Sequence, residues 1–219
     1  MTIQESYQQV AANLRKVSLE CHRDPETVRL IAVSKTKPLA DVLEAYQAGC
    51  RDFGENYVQE ILEKAPHAPA DIRWHFIGHL QSNKAKKVAT HLSMLHTLDS
   101  LKVAKIMHEV KTFDFLLQVN IGREEQKSGL LPEEVIPLLK ELAVAALSVK
   151  GLMCIPPASD DPEASRSFFR KLRELREQAQ HETGLLLPEL SMGMTADAAV
   201  AIQEGATMVR VGTAIFGAR

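Results

Sequence analysis

One lysine in this 219-residue chain lies where a reactive amine would be expected. Lys35 follows the run Leu-Ile-Ala-Val-Ser at 30–34, whose apolar residues indicate a buried strand. Partial burial lowers the pKa of an amine by disfavouring its charged form, and a neutral amine can attack an aldehyde. The other interpretation, a solvated lysine at the end of a strand, stays open on this residue alone.

Two small polar segments later in the chain could hold an anion. They read SMGMT at 191–195 and RVGT at 210–213. Gly193 and Gly212 would let backbone N–H groups approach a phosphate, and Ser191 and Thr213 add hydroxyl donors. The same glycines could equally serve only to make turns.

The elements that must position these residues alternate along the whole chain. Short apolar runs predict strands at 30–35, 52–56, 74–78, 94–99, 116–121, 149–155, 189–194 and 208–217. Helical patterns fill the gaps at about 57–65, 80–90, 100–112, 132–146, 162–182 and 196–204, with a further helix opened by Pro38. An apolar stripe at steps of three or four predicts a helix in front of the first strand: Ile3, Tyr7, Val10, Leu14 and Val17.

About eight strand–helix units without a linker favour a single (β/α)8 TIM barrel over residues 1–219, with an extra N-terminal helix. The rival is a doubly wound open sheet, which uses the same alternation. That fold usually carries a glycine-rich phosphate loop after its first strand, whereas this turn reads SKTKPL. The barrel is therefore the prediction.

In such a barrel the chemistry lies at the carboxyl ends of the strands. The residues expected there are Ser34, Lys35, Asn56, His75, Asp99, Asn120, 191–194 and 210–213. Because the first and last strands of a closed barrel are neighbours, Lys35 would lie near Arg210 and the phosphate segment. A lysine for a Schiff base, a phosphate site and a cation for a ring nitrogen are what pyridoxal phosphate requires.

Composition and charge exclude several classes of protein. The chain has 26 Lys and Arg against 28 Asp and Glu, so we expect neither nucleic acid nor a membrane surface as a partner. The first residues, MTIQESYQQV, lack the features of a signal peptide, and Cys21, Cys50 and Cys154 are too scattered for a disulfide framework or a thiolate zinc site. The expectation is a cytoplasmic protein.

Two other patterns have simple interpretations. His75 and His79 are four residues apart but lack an indicated third ligand, so no metal site is predicted. Lys84, Lys86 and Lys87 form a basic cluster that is either a solvated helix face or a patch that docks an acceptor enzyme or a second phosphorylated ligand.

Seven segments resemble one known family. They are AVSKTKP at 32–38, FGENYVQE at 53–60, WHFIGHLQSNK at 74–84, LLQVNI with KSG within 116–129, KGLMCIP at 150–156, LSMGM at 190–194 and MVRVGTAIFGAR at 208–219. In this order they resemble the pyridoxal phosphate homeostasis proteins (the YggS/PROSC group), whose fold is like the barrel domain of alanine racemase. The segments span nearly the whole chain.

The resemblance implies a role for each matching position. The cofactor lysine falls on Lys35, and the arginine that faces the ring nitrogen falls on Arg210. Phosphate-binding positions fall on Ser191, Gly212 and Thr213, with the backbone of Gly193 and Met194 close by. Asn56 falls where a strand-end asparagine faces the cofactor, and His75, at the next strand end, approaches the ring. Thr195, in place of a common serine, and Ala-Ala-Val at 198–200 are small departures.

The implied function is to hold pyridoxal 5'-phosphate as a Schiff base on Lys35 and to buffer or deliver it within the cell, with apo-enzymes that use this cofactor as recipients. We expect no substantial catalytic turnover, because a guanidinium at Arg210 only donates to the ring nitrogen and leaves it a poorer electron sink. Racemases of this fold add a second domain and a second base, for which this chain has no residues left.

Two alternatives stay open. One is a minor racemase or lyase activity on amino acids, and the other is a barrel that binds another phosphorylated metabolite. A monomer or a weak homodimer is expected.

Overall fold

The computed structural model describes residues 1–218 as strands and helices in strict alternation. The strands are β1 (Arg29–Val33), β2 (Asp52–Glu55), β3 (Arg73–Phe76), β4 (Leu92–Leu98), β5 (Asp114–Val119), β6 (Ser148–Cys154), β7 (Glu189–Ser191) and β8 (Met208–Val211). The helices are α1 (Ile3–Glu20), α2 (Leu39–Gln47), α3 (Val58–Lys64), α4 (Ser82–Val88), α5 (Leu101–His108), α6 (Pro132–Val144), α7 (Arg166–Thr183), α8 (Ala198–Gln203) and α9 (Thr213–Phe216).

The eight strands form one closed parallel barrel in chain order. β1 pairs with β2 on one side and with β8 on the other, where Ile31 lies opposite Arg210 and Ala32 opposite Val211. This closure places the carboxyl end of β1 beside that of β8. The prediction of a (β/α)8 barrel with an additional N-terminal helix is confirmed.

The extra helix, α1, begins in a capping box. Thr2 Oγ1 accepts from the Glu5 amide, and the Glu5 carboxylate accepts from the Thr2 amide at 2.9 Å. The helix packs against α2, α8 and α9, and Glu44 of α2 accepts from the amide of Ile3 at 2.9 Å. Within residues 1–218, none of the helices has both the length and the apolar character needed to cross a membrane.

Apolar side chains fill two regions around the barrel wall. The larger region lies between strands and helices, which explains why the strand sequences are nearly continuously apolar. A smaller cluster forms separately from it: Ile31, Met94, Leu116, Met153 and Met208. Polar side chains are buried on the same barrel strands, among them His75 on β3 and His96 on β4.

Two predicted strands were clearly too long, and one predicted strand end was misplaced. The segment 189–194 contains β7 only as far as Ser191. The segment 208–217 contains β8 only as far as Val211, after which α9 turns the chain away. The small residues Gly212 and Thr213 form the start of that helix instead of continuing the strand. His75 lies inside β3, which continues to Phe76, so it is not the last residue of its strand.

Candidate cofactor-binding site

A pocket of about 400 Å³ opens at the carboxyl end of the barrel. Its lining comes from β1, β2, β8 and the loops that follow β3, β6 and β7: Val33, Lys35, Asn56, Ile77, Ile155, Met194, Thr195, Ala196, Arg210, Gly212 and Thr213. The lining therefore includes six of the nine residues that the sequence assigned to the site. The walls are partly apolar, which suits an aromatic ring with a few polar groups.

The turn that carries Lys35 is held from both sides. The Ser34 amide donates to Gly54 O at 3.0 Å, and the Lys37 amide closes the turn on Ser34 O at 3.1 Å. Between them Thr36 takes a left-handed conformation with φ 64°, which is uncommon for a β-branched residue. The Thr36 amide donates to Glu60 Oε2 at 2.8 Å, so α3 anchors this strained turn.

A buried ion cluster lies directly under the same turn. Lys64 Nζ donates to Glu55 Oε1 at 2.8 Å, to Glu60 Oε2 at 2.6 Å and to the backbone oxygen of Ser34 at 3.0 Å. The Ser34 hydroxyl donates to the same oxygen of Glu55 at 2.6 Å. Burial raises the pKa of Glu55 to about 7, although the bonds from Lys64 and Ser34 act in the opposite direction. The cluster fixes the backbone on which Lys35 stands.

The loop after β7 depends on a glycine. Gly193 has φ 90°, and a Cβ at this position would lie 2.5 Å from the Cβ of Ala201. Gly193 O accepts from the Arg210 amide at 3.0 Å, which ties the loop to β8. Only glycine provides both this backbone conformation and this close approach to α8.

The loop after β8 supplies the groups best placed for an anion. Gly212 precedes α9, and the first amides of any helix lack an intrahelical acceptor. The exposed Thr213 hydroxyl lies 3.3 Å from the hydroxyl of Thr195, so two hydroxyl groups face the same part of the pocket. Met194 contributes differently, because its amide already donates to Asp197 Oδ1 at 2.7 Å while its half-exposed side chain lines the pocket.

Arg210 is a buried cation at the floor of the pocket. Its side chain donates to the Ser191 hydroxyl at 2.7 Å and to the backbone oxygen of Cys154 at 2.9 Å. Both partners are neutral, and the guanidinium has further N–H groups beyond these two bonds. Burial lowers the pKa of Arg210, with Cys154 and Asp197 acting in the opposite direction. An anionic or acceptor-bearing ligand in the pocket would complement this group.

Two residues assigned to the cofactor face the barrel interior instead of lining the pocket. The His75 ring lies between Asp52 and His96, at 2.9 Å from each, and is buried. The Ser191 hydroxyl lies between His96 and Arg210 and is completely buried. Neither side chain lines the pocket, and the expected contacts of both with the cofactor stay predictions. His75 lies before the end of its strand, and the Ser191 hydroxyl is engaged behind Arg210.

The residues present fit pyridoxal phosphate on two observations. The side-chain oxygen Oδ1 of Asn56 is buried and has no hydrogen-bond partner within residues 1–218, so a donor on a ligand would satisfy it. The close packing at Gly193 and at Gly212, where a Cβ would lie 3.3 Å from Val33 O, brings backbone near the pocket. The lysine, the arginine and these loops are the groups that such a cofactor requires.

Sequence reasoning missed several residues of the site. Ile77, Ile155 and Ala196 line the pocket without a chemical signature that would have distinguished them. His96 was detectable, because it is a polar residue inside a predicted strand whose neighbours are mainly apolar, whereas Asp52 opens the mixed segment DFGEN at 52–56 and gave no such signal. A buried polar side chain in such a strand needs a partner, which was the signal for a polar network inside the barrel.

The chain resembles known proteins over almost its whole length. The family model of the alanine racemase N-terminal domain matches residues 6–219. The pyridoxal phosphate homeostasis protein of Pseudomonas aeruginosa is 46% identical over 226 residues, which cover 100% of this chain and 96% of that protein. The corresponding protein of Pasteurella multocida is 44% identical over 229 residues, covering 100% and 98%.

A solved structure extends the likeness to three dimensions. PipY of Synechococcus elongatus, determined with pyridoxal phosphate bound, superposes with a TM-score of 0.80 at 36% identity and covers 93% of this chain and 98% of its own. The chain therefore belongs to the family of the pyridoxal phosphate homeostasis proteins, which share the barrel of the alanine racemase N-terminal domain.

Proposed function

We propose that this chain binds pyridoxal 5'-phosphate covalently through Lys35 and acts inside the cell as a reservoir that buffers the cofactor or delivers it to apo-enzymes. The observation that carries the proposal is the convergence of Lys35, the buried Arg210 and the Gly212–Thr213 backbone on one pocket. The relatives' name and the cofactor bound to PipY support it.

Each group has a role that follows from its chemistry. Pyridoxal phosphate supplies an aldehyde that condenses with an amine, a phosphate ester and a pyridine ring. Lys35 Nζ provides the amine on a turn that is fixed by α3. The backbone at Gly212 and the hydroxyl of Thr213 receive the phosphate, and Arg210 donates to the ring nitrogen. The Asn56 side chain offers its unpartnered Oδ1 to a donor on the ligand.

Arg210 also explains why we propose a carrier without substantial turnover. A guanidinium has no acceptor and stays protonated, so it donates to the ring nitrogen and keeps that nitrogen unprotonated. An unprotonated ring withdraws electrons weakly, which disfavours proton abstraction from a bound amino acid. The Arg210 position in β8, braced by Ser191 and Cys154, keeps this donor fixed.

The test is a visible absorption spectrum of the purified protein with added pyridoxal phosphate, before and after borohydride, beside Lys35→Ala. We expect a visible band that borohydride abolishes. After this reduction, the pyridoxyl group should be found on the peptide that contains Lys35. Lys37→Ala is the matched control, since Lys37 lies two residues away and donates to Ala218 O. Attachment of the pyridoxyl group to another lysine, or no visible band at any cofactor concentration, would overturn the proposal.

Delivery and turnover are tested on the same loaded protein. Mixed with an apo-enzyme that requires pyridoxal phosphate, it should restore that enzyme's activity while its own visible band decreases in proportion. Incubated with single L-amino acids, it should leave their enantiomeric composition unchanged. Racemisation or elimination at rates of about 1 s⁻¹ or more, within the ordinary range for enzymes, would favour the catalytic alternative.

A further inference from the structure

A chain of hydrogen-bonded polar side chains crosses the interior of the barrel. Its members, in spatial order, are Arg73, Asp52, His75, His96, Ser191 and Arg210. All except Arg73 are buried. The chain begins at the amino end of β3 and ends at Arg210, on the floor of the pocket. It therefore connects the two ends of the barrel.

The first half of the chain contains an ion pair and two histidines. Arg73 binds Asp52 with two bonds, from Nε to Oδ1 at 2.8 Å and from Nη2 to Oδ2 at 2.6 Å. Asp52 Oδ1 also lies 2.9 Å from His75 Nε2. The other ring nitrogen of His75, Nδ1, lies 2.9 Å from His96 Nε2, with the two rings edge to face.

The second half joins the histidines to the pocket. His96 Nδ1 lies 2.9 Å from the hydroxyl oxygen of Ser191, which accepts from Arg210 Nη1 at 2.7 Å. All the links between Asp52 and Arg210 thus have hydrogen-bond lengths. Both ring nitrogens of both histidines are used within the chain.

The aspartate end of the chain determines the direction of every bond when both histidines are neutral. An arginine only donates and an ionised aspartate only accepts. The Ser191 proton therefore points to His96 Nδ1, the His96 proton on Nε2 points to His75 Nδ1, and the His75 proton on Nε2 points to Asp52. This order requires both histidines to be neutral.

The surroundings favour that charge state. Burial lowers the pKa of His75, although Asp52 acts in the opposite direction, and burial lowers the pKa of His96 further below its usual range. Burial also opposes ionisation of Asp52, but the bonds from Arg73 and His75 outweigh it and hold the pKa of this carboxyl low. Three neutral groups, His75, His96 and Ser191, thus lie between the Asp52 carboxylate, which is paired with Arg73, and the Arg210 guanidinium.

We propose that Asp52, His75 and His96 are positioning residues that hold the Arg210 guanidinium in one orientation, so that its remaining N–H groups face the ring of the bound cofactor. Each bond of such a chain polarises the next, so the Asp52 carboxylate, through His75 and His96, makes the Ser191 oxygen a stronger acceptor for Arg210 and fixes the guanidinium more firmly. The inference rests on the proposed function, because it concerns the group that Arg210 faces. Neither histidine contacts the reacting atoms.

The geometry of the chain is tested first, without the cofactor. In protein labelled with ¹⁵N-histidine, the resonances of His75 and His96, assigned with single His→Gln variants, should both report neutral rings protonated on Nε2 at pH 7. A ring protonated on Nδ1, or a cationic ring, would reverse or break the order of bonds and overturn the proposal. This result does not depend on whether the chain binds pyridoxal phosphate.

The effect on the cofactor is tested with ¹⁵N-labelled pyridoxal phosphate and His96→Leu. Losing one well-formed link should weaken cofactor binding about tenfold and move the ring-nitrogen resonance towards that of the free unprotonated ligand. His96→Gln should restore both values, because its amide can accept from Ser191 and donate to His75. Met94→Leu, at a buried apolar position on the same strand, is the matched control and should resemble the wild type.

Asp52→Asn provides a second variant at the far end of the chain, where the side chain is bonded to Arg73 and His75 and is not part of the pocket lining. It should shift the ring-nitrogen resonance in the same direction as His96→Leu. Wild-type resonance and affinity in both variants would overturn the inference while leaving the proposed function intact. If pyridoxal phosphate does not attach to Lys35 in the wild-type protein, the proposed function is wrong, and so is the inference that rests on it.

Discussion

Lys64 Nζ donates a hydrogen bond to the backbone oxygen of Ser34, 3.0 Å away and one residue before Lys35. The same ammonium binds Glu60, whose carboxylate accepts from the amide of Thr36, one residue after Lys35. A single buried cation on α3 therefore holds the backbone on both sides of Lys35, the lysine proposed to bind the cofactor. The backbone position of Lys35 is thus fixed by a helix that does not line the pocket.

Lys64→Met should both destabilise the protein and weaken cofactor binding. The variant leaves two carboxylates without their buried cation, which costs about 3 kcal/mol of the free energy of unfolding. The loosened turn should lower the affinity for pyridoxal phosphate about tenfold. Urea unfolding and a titration followed by visible absorption measure the two effects. Lys87→Met, at an exposed lysine on α4, is the control and should change neither; an equal effect of both variants would contradict the role of Lys64.

Glu55→Gln should change how stability depends on pH. Because burial raises the pKa of Glu55 to about 7, the folded protein retains this proton at a pH where the unfolded chain has released it. The contribution of Glu55 to stability is therefore largest below its ordinary pKa and is lost as the pH rises towards 7 and above. Between pH 5 and pH 8 the wild type should lose about 2 kcal/mol relative to Glu55→Gln.

Urea unfolding of both proteins at several pH values measures this difference. Glu63→Gln, on the exposed face of α3, should follow the wild type at every pH. A constant difference between wild type and Glu55→Gln across this range would mean that Glu55 is ionised throughout and that its pair with Lys64 dominates over burial.

Strand periodicity was sufficient to predict the barrel, because parallel strands covered on both faces leave apolar runs that recur at regular intervals. It also placed Lys35 and Arg210 together, since the closure of a barrel joins its first and last strands. The orientation of His75 and Ser191 was not predictable in the same way. Whether a side chain near a strand end faces the pocket or the interior depends on the residue where the strand stops, and element boundaries are the weakest part of a pattern.

Gly193→Ala should be far more harmful than an alanine at another left-handed glycine. At Gly193 the added Cβ meets the Cβ of Ala201 at 2.5 Å in addition to the unfavourable φ of 90°. At Gly184, the C-cap of α7 with φ 69°, nothing among the described residues lies within 4 Å of the added atom. Gly184→Ala should cost about 1 kcal/mol, and Gly193→Ala about 3 kcal/mol.

The two variants should also differ in cofactor binding. Displacement of the loop at 193 moves the backbone that joins β7 to Arg210, so Gly193→Ala should bind pyridoxal phosphate weakly, whereas Gly184→Ala should bind as the wild type does. Thermal unfolding with and without the cofactor measures both properties. Equal destabilisation by the two substitutions would show that the contact with Ala201 is relieved by movement of α8.

Arg210→Gln should weaken the binding of pyridoxal phosphate while leaving the stability of the cofactor-free protein almost unchanged. The guanidinium is buried and its two hydrogen-bond partners are neutral, so its charge is costly until an acceptor occupies the pocket. A glutamine amide can still donate to Ser191 or Cys154 without carrying that charge. Without the cofactor, the free energy of unfolding of the variant should therefore lie within about 1 kcal/mol of the wild-type value or above it.

Saturating pyridoxal phosphate should raise the melting temperature of the wild type by several degrees more than that of the variant, because a ligand that binds more tightly stabilises the folded state more. A large loss of stability in the cofactor-free variant would instead assign Arg210 mainly to the architecture of the barrel.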